Sequence, residues 1–503
     1  MIKDHNQNVG LTPVRRRVFL NDAALAFGSI ALGSMLPGVG AAKDPSAAKD
    51  PSASQDPNAS QDPSASQDPS AGVLAELHRP PRAKRVIFLF MAGGPSHLDL
   101  FDPKPLLNRM DGEKIPAALL KDHQQFALIR GMPAIKGSPY RFARHGDSGT
   151  VVSELLPKLA GQADELTVIR SIQTTTNVHD PGVNMMNCGS VLFGRPTLGA
   201  WLSYGLGSEN ANLPNYVVLT SGPLKMSQPL LQSFWGNGFL DSRHQGVPLL
   251  TGDTPVLHLS NPEGITRQRR REQLDLIRWM NEKRHQQIND AEILSRVASY
   301  EMAFRMQASM PELTDLSQES EQTLAAYGAA LGKPSLANNC LLARRLVERG
   351  VRFVQLYDRG WDSHTHIEHQ HKRQCDAADR PIAALLKDLR QRGLLDDTLV
   401  IWGGEFGRTP VAQVSGNTYG RDHHPHGFTM WMAGGGAKPG LTHGATDDFG
   451  YHVAKDKVHV RDLHATILHL MGIDHHRFKY RFKGLDLGLT GVEPARVVKE
   501  LIA

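Results

Sequence analysis

Short apolar runs recur along this chain and constrain its fold more than any other feature. The first, residues 86–91 (VIFLFM), is apolar at every position and is stopped by the glycines and proline of residues 93–95. A strand with one solvated face alternates apolar and polar residues, so a continuous run predicts a strand that is covered on both faces. Comparable runs occupy residues 166–169, 216–219, 351–356, 398–402 and 428–432.

Helical patterns separate several of these runs. They cover residues 153–159, 196–204, 271–284, 291–306, 339–349 and 375–392. The alternation predicts one α/β domain over residues 80–503, with a largely parallel central sheet and helices on both faces. The long, charged patterns predict a helical excursion within residues 221–335. In sheets of this kind, ligands bind beyond the carboxyl ends of the strands.

The first 42 residues have the features of an export signal. Residues 16–20 (RRVFL) match the twin-arginine pattern, and a weakly apolar, Gly/Ala-rich stretch at 23–39 leads to small residues at 40–42 that suit cleavage. An uncleaved anchor helix is the alternative, but the glycines of the stretch make it a poor membrane span. We therefore expect a periplasmic or secreted protein that meets a membrane only through this signal.

Residues 43–79 are predicted to form a disordered linker. Within them a six-residue unit containing Asp-Pro-Ser-Ala or a close variant recurs up to residue 71. The repeat itself has no apolar residue larger than alanine and cannot bury a core.

Composition excludes some partners. The net charge of +5, from 56 basic and 51 acidic residues, is too balanced to indicate nucleic-acid binding. Three cysteines are too few, and an odd number, for a disulfide framework.

Acidic and imidazole side chains cluster where predicted strands end. Residues 361–366 (WDSHTH) follow one strand, Glu405 follows another, and residues 421–426 (RDHHPH) precede a third. Asp362 and His366 are four residues apart, so one helical turn would bring both to the same side, as metal ligation requires. The pattern predicts a divalent-metal site that suits Zn, Mn, Fe or, with more oxygen ligands, Ca.

These motifs resemble those of the alkaline phosphatase-like superfamily, which includes sulfatases. Residues 395–401 (LDDTLVI) resemble the sulfatase strand that precedes an Asp-His metal pair. The chain is most similar to an uncharacterised, twin-arginine-exported family of that superfamily. The motifs shared with it are 93–99 (GGPSHLD), 101–105 (FDPKP), 194–196 (GRP), 344–350 (RRLVERG), 405–410 (EFGRTP) and 420–423 (GRDH).

The resemblance implies two groups of metal ligands. The first would contain Asp362, His364 or His366, and His423 or His426, with Asp422 beside them. The second would contain Glu405, although Phe406 stands where the superfamily has a histidine. Glycines follow the first strand where the superfamily has an aspartate, so His97 and Asp99 are the candidate substitutes. One well-formed metal site and one degenerate site are therefore expected.

The resemblance also places a nucleophile near a helix N-terminus after the second strand. Thr176 is the first candidate and Thr175 the second, with His179 as a further catalytic group. A turn and helix cap without chemistry remains the alternative for these threonines. Arg408 could clamp an anionic substrate oxygen or could pair with Glu405. Cys188 lacks the neighbours of a sulfatase's modifiable cysteine, which argues against a formylglycine enzyme.

The function that these features imply is an exported, metal-dependent hydrolase of phosphate or sulfate esters, with a sulfated or phosphorylated glycan among the possible substrates. The alternative is a catalytically inactive protein of the same fold that binds an anionic glycan or a partner. A mutase or transferase would need a second substrate pocket, which residues 221–335 could supply.

Overall fold

The computed structural model describes residues 71–120, 126, 128–129, 132–222, 230–249, 260–413 and 418–503. The predicted export signal and most of the predicted linker lie outside these residues. None of the described helices is both long and apolar enough to cross a membrane.

The chain divides into two compact units. The described part of the smaller unit is residues 264–297, and the larger unit contains the other described residues. The smaller unit holds a charged helix that starts after Thr266, whose hydroxyl accepts a hydrogen bond from the backbone of Arg269 at 3.2 Å. This helix and the next two α-helices lie in the region predicted as a helical excursion.

The strands are β1 Arg85–Ala92, β2 Phe142–His145, β3 Thr150–Ser153, β4 Thr167–Gln173, β5 Tyr216–Ser221, β6 Val247–Leu249, β7 Phe353–Arg359, β8 Thr398–Gly403, β9 Gly407–Ala412, β10 Arg421–His424, β11 Phe428–Ala433, β12 Leu441–His443, β13 Ala445–Thr446, β14 Val453–Lys455, β15 Val458–His459, β16 Tyr480–Phe482 and β17 Leu485–Leu487. The α-helices are α1 His97–Leu100, α2 Pro105–Arg109, α3 Pro157–Ala160, α4 His179–Cys188, α5 Leu198–Leu206, α6 Arg267–Ile288, α7 Ala291–Thr314, α8 Glu321–Tyr327, α9 Leu336–Glu348, α10 Ile367–Gln391 and α11 Val460–Leu470. Short 3-10 helices cover Ala117–Leu120, Ala163–Glu165, Gln232–Trp235, Ser242–His244, Leu316–Gln318 and Lys499–Leu501.

One large sheet organises the larger unit. Its strand order is β12-β4-β11-β8-β1-β7-β5-β6, with β15 also paired to β4. Strand β11 is antiparallel to both of its neighbours, and the other pairings are parallel. Strand β1 lies between β7 and β8, so the carboxyl ends of these three strands share one edge of the sheet.

Helices cover both faces of the sheet, which confirms the predicted fold class. Alternate residues of β1 belong to different cores: Leu89 packs with residues of α9 and α10, whereas Phe88 packs with residues of α4, α5 and α11. A strand between two apolar layers has no polar face, and this explains the unbroken apolar run at residues 86–91.

The folded part of the chain begins before residue 80, where the sequence predicted its start. The backbone N–H groups of Val73 and Leu74 donate to the carbonyls of Tyr204 and Gly205 at 3.0 and 3.1 Å. The last part of the predicted linker is therefore packed against α5.

A buried ion pair joins the segment after β1 to β10. The Arg421 guanidinium donates to Asp99 at 2.9 Å, and both side chains are almost fully buried. Arg421 also donates to the carbonyls of Lys136 and Thr409 at 3.0 and 3.1 Å. The charge of Arg421, acting against the cost of burial, holds the pKa of Asp99 below its usual value.

Removal of this arginine should strongly destabilise the fold. Arg421→Leu would leave Asp99 buried without its counter-charge, which typically costs about 3–5 kcal/mol. The measurement is the free energy of unfolding in urea. The matched control is Arg481→Leu, because Arg481 pairs with Asp486 at 3.5 Å on the surface and both side chains are more than half exposed. That variant should lose less than about 1 kcal/mol. Equal losses in the two variants would contradict the prediction.

Buried histidines should make the protein sensitive to acid. Burial lowers the pKa of His464 to about 4, and its Nε2 lies 2.8 Å from the carbonyl of Met186. The unfolded chain then binds more protons than the folded one between pH 6.5 and 4, so stability falls as the pH falls through this window. His464→Gln keeps an N–H donor but does not titrate. We expect its free energy of unfolding to depend less on pH there, by up to about 1.4 kcal/mol per pH unit. Urea unfolding at several pH values measures this slope, and an unchanged slope would contradict the assignment.

Candidate metal centre

The candidate site lies beyond the carboxyl ends of three strands of the sheet. Asp362 and His364 follow β7, Glu405 follows β8, and His179 is the first residue of α4, which follows β4. His423 comes from β10, where it is paired with Arg408 of β9. Parallel strands bring His179, Asp362, His364 and Glu405 together from distant parts of the sequence, and the antiparallel pair of β9 and β10 adds His423.

Four side chains could hold a metal ion: His179, Asp362, His364 and His423. One potential ligand atom from each lies within 4.8 Å of the others. The Nε2 atoms of the three histidines are 3.1, 2.8 and 3.3 Å from the Asp362 carboxylate, in the order His179, His364 and His423. Asp362 is 24% exposed, so solvent reaches the cluster on its side.

The other ring nitrogen of each histidine faces an acceptor. The Nδ1 of His179 lies 2.7 Å from Glu405 Oε1, that of His364 2.5 Å from Gln413 Oε1, and that of His423 2.7 Å from the carbonyl of Asn177. These acceptors require a proton on Nδ1, and the neutral tautomer then has its lone pair on Nε2. The three lone pairs are therefore directed at one carboxylate.

This arrangement fits a divalent cation. Lone pairs and a carboxylate repel one another unless positive charge lies between them. The Nε2 of His179 is buried and forms no well-aligned hydrogen bond, although it lies 3.1 Å from Asp362. Three imidazoles and one carboxylate, with outer acceptors on the imidazoles, are the donor set and the support that metal sites use.

The charges around Asp362 also favour a bound cation. Burial would raise the pKa of Asp362, but the neighbouring imidazoles of His179, His364 and His423 and the charge of Arg408 hold the pKa far below its usual value. Burial would lower the pKa of His179, yet its two carboxylate neighbours, Asp362 and Glu405, raise the pKa to about 9. Burial lowers the pKa of His423 to about 4. The carboxylates thus demand positive charge, which a proton on His179 or a bound cation can supply.

Arg408 binds the Asp362 carboxylate from the buried side of the site. Its guanidinium is fully buried and donates to Asp362 Oδ1 at 2.7 Å. It also donates to the carbonyls of Gly94 at 2.8 Å and Arg421 at 3.0 Å, and to that of Gly93. The sequence left open whether Arg408 clamps a substrate oxygen or pairs with Glu405. In the structure its carboxylate partner is Asp362, and its other hydrogen bonds turn the guanidinium toward the protein.

Glu405 is also fully buried. Its carboxylate accepts hydrogen bonds from the backbone N–H of Gly93 at 3.0 and 3.2 Å, besides its contact with His179. Gly93 has φ 119°, and a β-carbon there would collide with the backbone of Asp362. The glycine backbone thus approaches Asp362 and Glu405 closely, and only glycine fits here.

The expectation that Asp362 and His366 share one helical turn is wrong. Helix α10 begins only at Ile367, and His366 is its N-cap with φ 49°. Between β7 and α10 the chain is not helical, so His364 rather than His366 joins Asp362 in the cluster. His366 is exposed and lies outside the group of four.

Asp422 and His426 also lie outside that group. The Asp422 carboxylate is buried and accepts hydrogen bonds from the backbone N–H groups of Leu128 and Ile129 at 2.7 and 3.2 Å. His426 packs near the rings of His424 and His452, with centroids 5.4 and 6.3 Å away.

His97 and Asp99 are likewise separate from the four. Asp99 pairs with Arg421, and His97 is buried with its Nε2 3.4 Å from the carbonyl of Gly450. Burial lowers the pKa of His97 to about 4. Their place in the superfamily pattern therefore does not bring them to the cluster.

The candidate nucleophiles lie in the loop between β4 and α4. Thr175 is exposed, and the Thr176 hydroxyl accepts a hydrogen bond from the backbone of Val178 at 3.2 Å. Neither threonine has a hydrogen bond to the four residues of the cluster among the contacts described. The same loop supplies the Asn177 carbonyl that faces His423, and it leads directly into His179. Gln413 and the Asn177 carbonyl were not foreseen, since no sequence signal marks an amide or a backbone oxygen as the partner of a distant imidazole.

The chain matches one family model and several solved structures. The family model, described as a protein of unknown function (DUF1501), covers residues 83–502. No curated protein matches the chain. Similar structures include the PsFucS1 sulfatase from Pseudoalteromonas sp., with 11% identity, a TM-score of 0.35, and 84% of this chain and 72% of that chain covered. Another is a protein in the alkaline phosphatase superfamily from Vibrio parahaemolyticus, with 10% identity, a TM-score of 0.34, and 81% and 71% covered.

A third similar structure is the phosphonate monoester hydrolase SpPMH from Silicibacter pomeroyi, with 11% identity, a TM-score of 0.33, and 83% and 76% covered. The uncharacterised family predicted from the sequence motifs is confirmed by the family model. The match spans nearly all of the described residues, and the chain therefore belongs to the family of proteins of unknown function DUF1501.

Proposed function

We propose that this protein is an exported, metal-dependent hydrolase of phosphate or sulfate esters. The observation that carries the proposal is the convergence of three imidazole Nε2 atoms on Asp362. The reaction class is supported by the resemblance of the sequence motifs to the alkaline phosphatase-like superfamily. A sulfated or phosphorylated glycan is among the substrates that we propose.

The donor set narrows the choice of metal. Calcium takes six to eight oxygen ligands, whereas three imidazoles and one carboxylate suit Zn, Mn or Fe. When bound, such a cation would polarise an ester oxygen and stabilise the charge that develops on it.

The chain itself would bind and orient the ester. Helix α4 begins at the cluster, and the partial positive charge of a helix N-terminus favours an anionic group. Arg408 holds Asp362 in place, and the buried ring of Phe406 packs against the rings of His179 and His423, with centroids 5.1 and 4.5 Å away. Thr175 and Thr176 lie four and three residues before His179 and remain our candidates for the attacking hydroxyl.

An inactive binding protein is the second candidate. It is favoured by the engagement of Arg408 with protein groups, which leaves an anionic substrate without the clamp that the sequence suggested. Cation binding with no turnover of aryl phosphates, phosphodiesters or sulfate esters, together with binding of a sulfated glycan, would favour this candidate over the hydrolase.

Asp362→Asn should abolish cation binding and hydrolysis. The substitution removes the charge on which the three imidazoles converge, and loss of a ligand should cost more than the roughly 10–100-fold in affinity or activity that an outer partner costs. The measurements are the metal content of protein purified without chelator and turnover of a panel of aryl phosphates, phosphodiesters and sulfates.

The matched control is His366→Asn in the same motif. Asparagine tolerates the left-handed backbone of this position, and His366 lies outside the cluster. This variant should keep both its metal and its activity. Loss of metal in His366→Asn with retention in Asp362→Asn would overturn the assignment of the site.

Export through the twin-arginine route is part of the proposal. Replacement of Arg16 and Arg17 by lysines keeps the charge but removes the guanidinium pair of the motif, so the protein should accumulate in the cytoplasm. Fractionation of cells that express the full chain measures this. Unchanged export of the double variant would contradict the proposed route without bearing on the metal site.

A further inference from the structure

The buried carboxylate of Glu405 has no free path to the space that the four ligand atoms share. Its Oε1 lies 2.7 Å from the Nδ1 of His179, whereas the Nε2 on the opposite side of the ring faces Asp362 at 3.1 Å. The imidazole therefore stands between Glu405 and the cluster. Glu405 is also absent from the group whose ligand atoms lie within 4.8 Å of one another.

Other contacts hold the Glu405 carboxylate in this place. The backbone N–H of Gly93, at the end of β1, donates to both of its oxygens. The side chain has no exposed surface, whereas Asp362 and His364 are each about one quarter exposed. Solvent therefore reaches the site on the side of Asp362 and His364, whereas Glu405 lies on the buried side.

The three histidines differ in the strength of their outer partners. His364 faces an amide oxygen and His423 a backbone carbonyl, but His179 faces a buried carboxylate. A carboxylate behind an imidazole fixes the Nδ1–H tautomer and makes Nε2 a stronger donor to a cation. His179 differs from the other two histidines in position, because it is the first residue of helix α4. Its Nε2 has no aligned hydrogen-bond partner, so the contact of Nδ1 with Glu405 is what fixes its ring.

We propose that Glu405 is a positioning residue that acts through His179, and that the site takes a single cation held by His179, Asp362, His364 and His423. This inference rests on the proposed function, because it assumes that the cluster binds a metal. It differs from the expectation from the sequence, in which Glu405 is itself a ligand of a second metal. Both oxygens of Glu405 accept from the Gly93 N–H, and Oε1 also contacts His179, so a second cation would have to compete with these contacts inside a fully buried side chain.

The test is zinc binding by the full-length protein, stripped of metal and titrated with Zn²⁺ in competition with a chromophoric chelator. The wild type should bind one equivalent. Glu405→Gln keeps an oxygen that can accept from both donors but loses the charge, so it should still bind one equivalent with an affinity about 10–100-fold lower. His179→Ala should also bind more weakly, and adding Glu405→Gln to it should cause little further loss.

The double variant separates positioning from general damage. A merely structural Glu405 would lower the thermal stability of the metal-free protein but leave zinc affinity unchanged, or would weaken binding equally with and without His179. Gln413→Ala is the matched control, because it removes the outer partner of His364, and its loss should be independent of that in Glu405→Gln.

The outcomes distinguish this inference from the proposed function. If the wild type binds no zinc, the metal-dependent function fails. If it binds two equivalents and Glu405→Gln binds one, the metal site stands but Glu405 is a ligand and the inference is overturned. If it binds one and Glu405→Gln binds it equally tightly, the inference is likewise overturned. One equivalent in both proteins, with a weaker affinity that depends on His179, supports it.

Discussion

The site depends on one electrostatic constraint, the concentration of acceptor atoms around the Asp362 carboxylate. Two of its neighbours, Arg408 and whichever histidine carries a second proton, can offset the negative charge, but the remaining Nε2 lone pairs point at the same oxygens. In a partly buried place, where charges are weakly screened, such an arrangement persists only with positive charge at its centre. Several buried contacts hold the histidines and Asp362 in this arrangement. They are the outer hydrogen bonds of the histidines, the contact of buried Arg408 with Asp362, and the contact of buried Glu405 with His179.

The sheet makes the constraint possible. Strands β1, β7 and β8 are neighbours and parallel, so Gly93, Asp362 and Glu405 arrive at one edge although more than 250 residues separate the first from the second. The two short strands β9 and β10 then bring Arg408 and His423 face to face across the top of that edge. Each element contributes one or two groups, and none contributes a complete site.

Much of this could be predicted from the sequence. The continuous apolar runs predicted the buried strands, and the polar residues that follow two of them predicted that residues 361–366 and Glu405 would lie beyond the carboxyl ends of the sheet. The choice between His364 and His366 could not be made, because it depends on where α10 begins and on a left-handed residue at 366. The pairing of Asp99 with Arg421 could not be predicted either. Whether a carboxylate binds a metal or an arginine depends on a partner 322 residues away, and nothing local to Asp99 encodes that partner.

The span of the site along the chain has a consequence for how the protein matures. Residues that meet at the edge come from both halves of the sequence, from Gly93 to His423, and loops this long close late in folding. Gly93 reaches Glu405, and His179 reaches Asp362, only when strands from both halves of the chain have paired, so the complete site forms only in the assembled sheet. Binding of a cation by all four groups would therefore follow assembly of the sheet, and the free energy of metal binding would add to the stability of the folded protein.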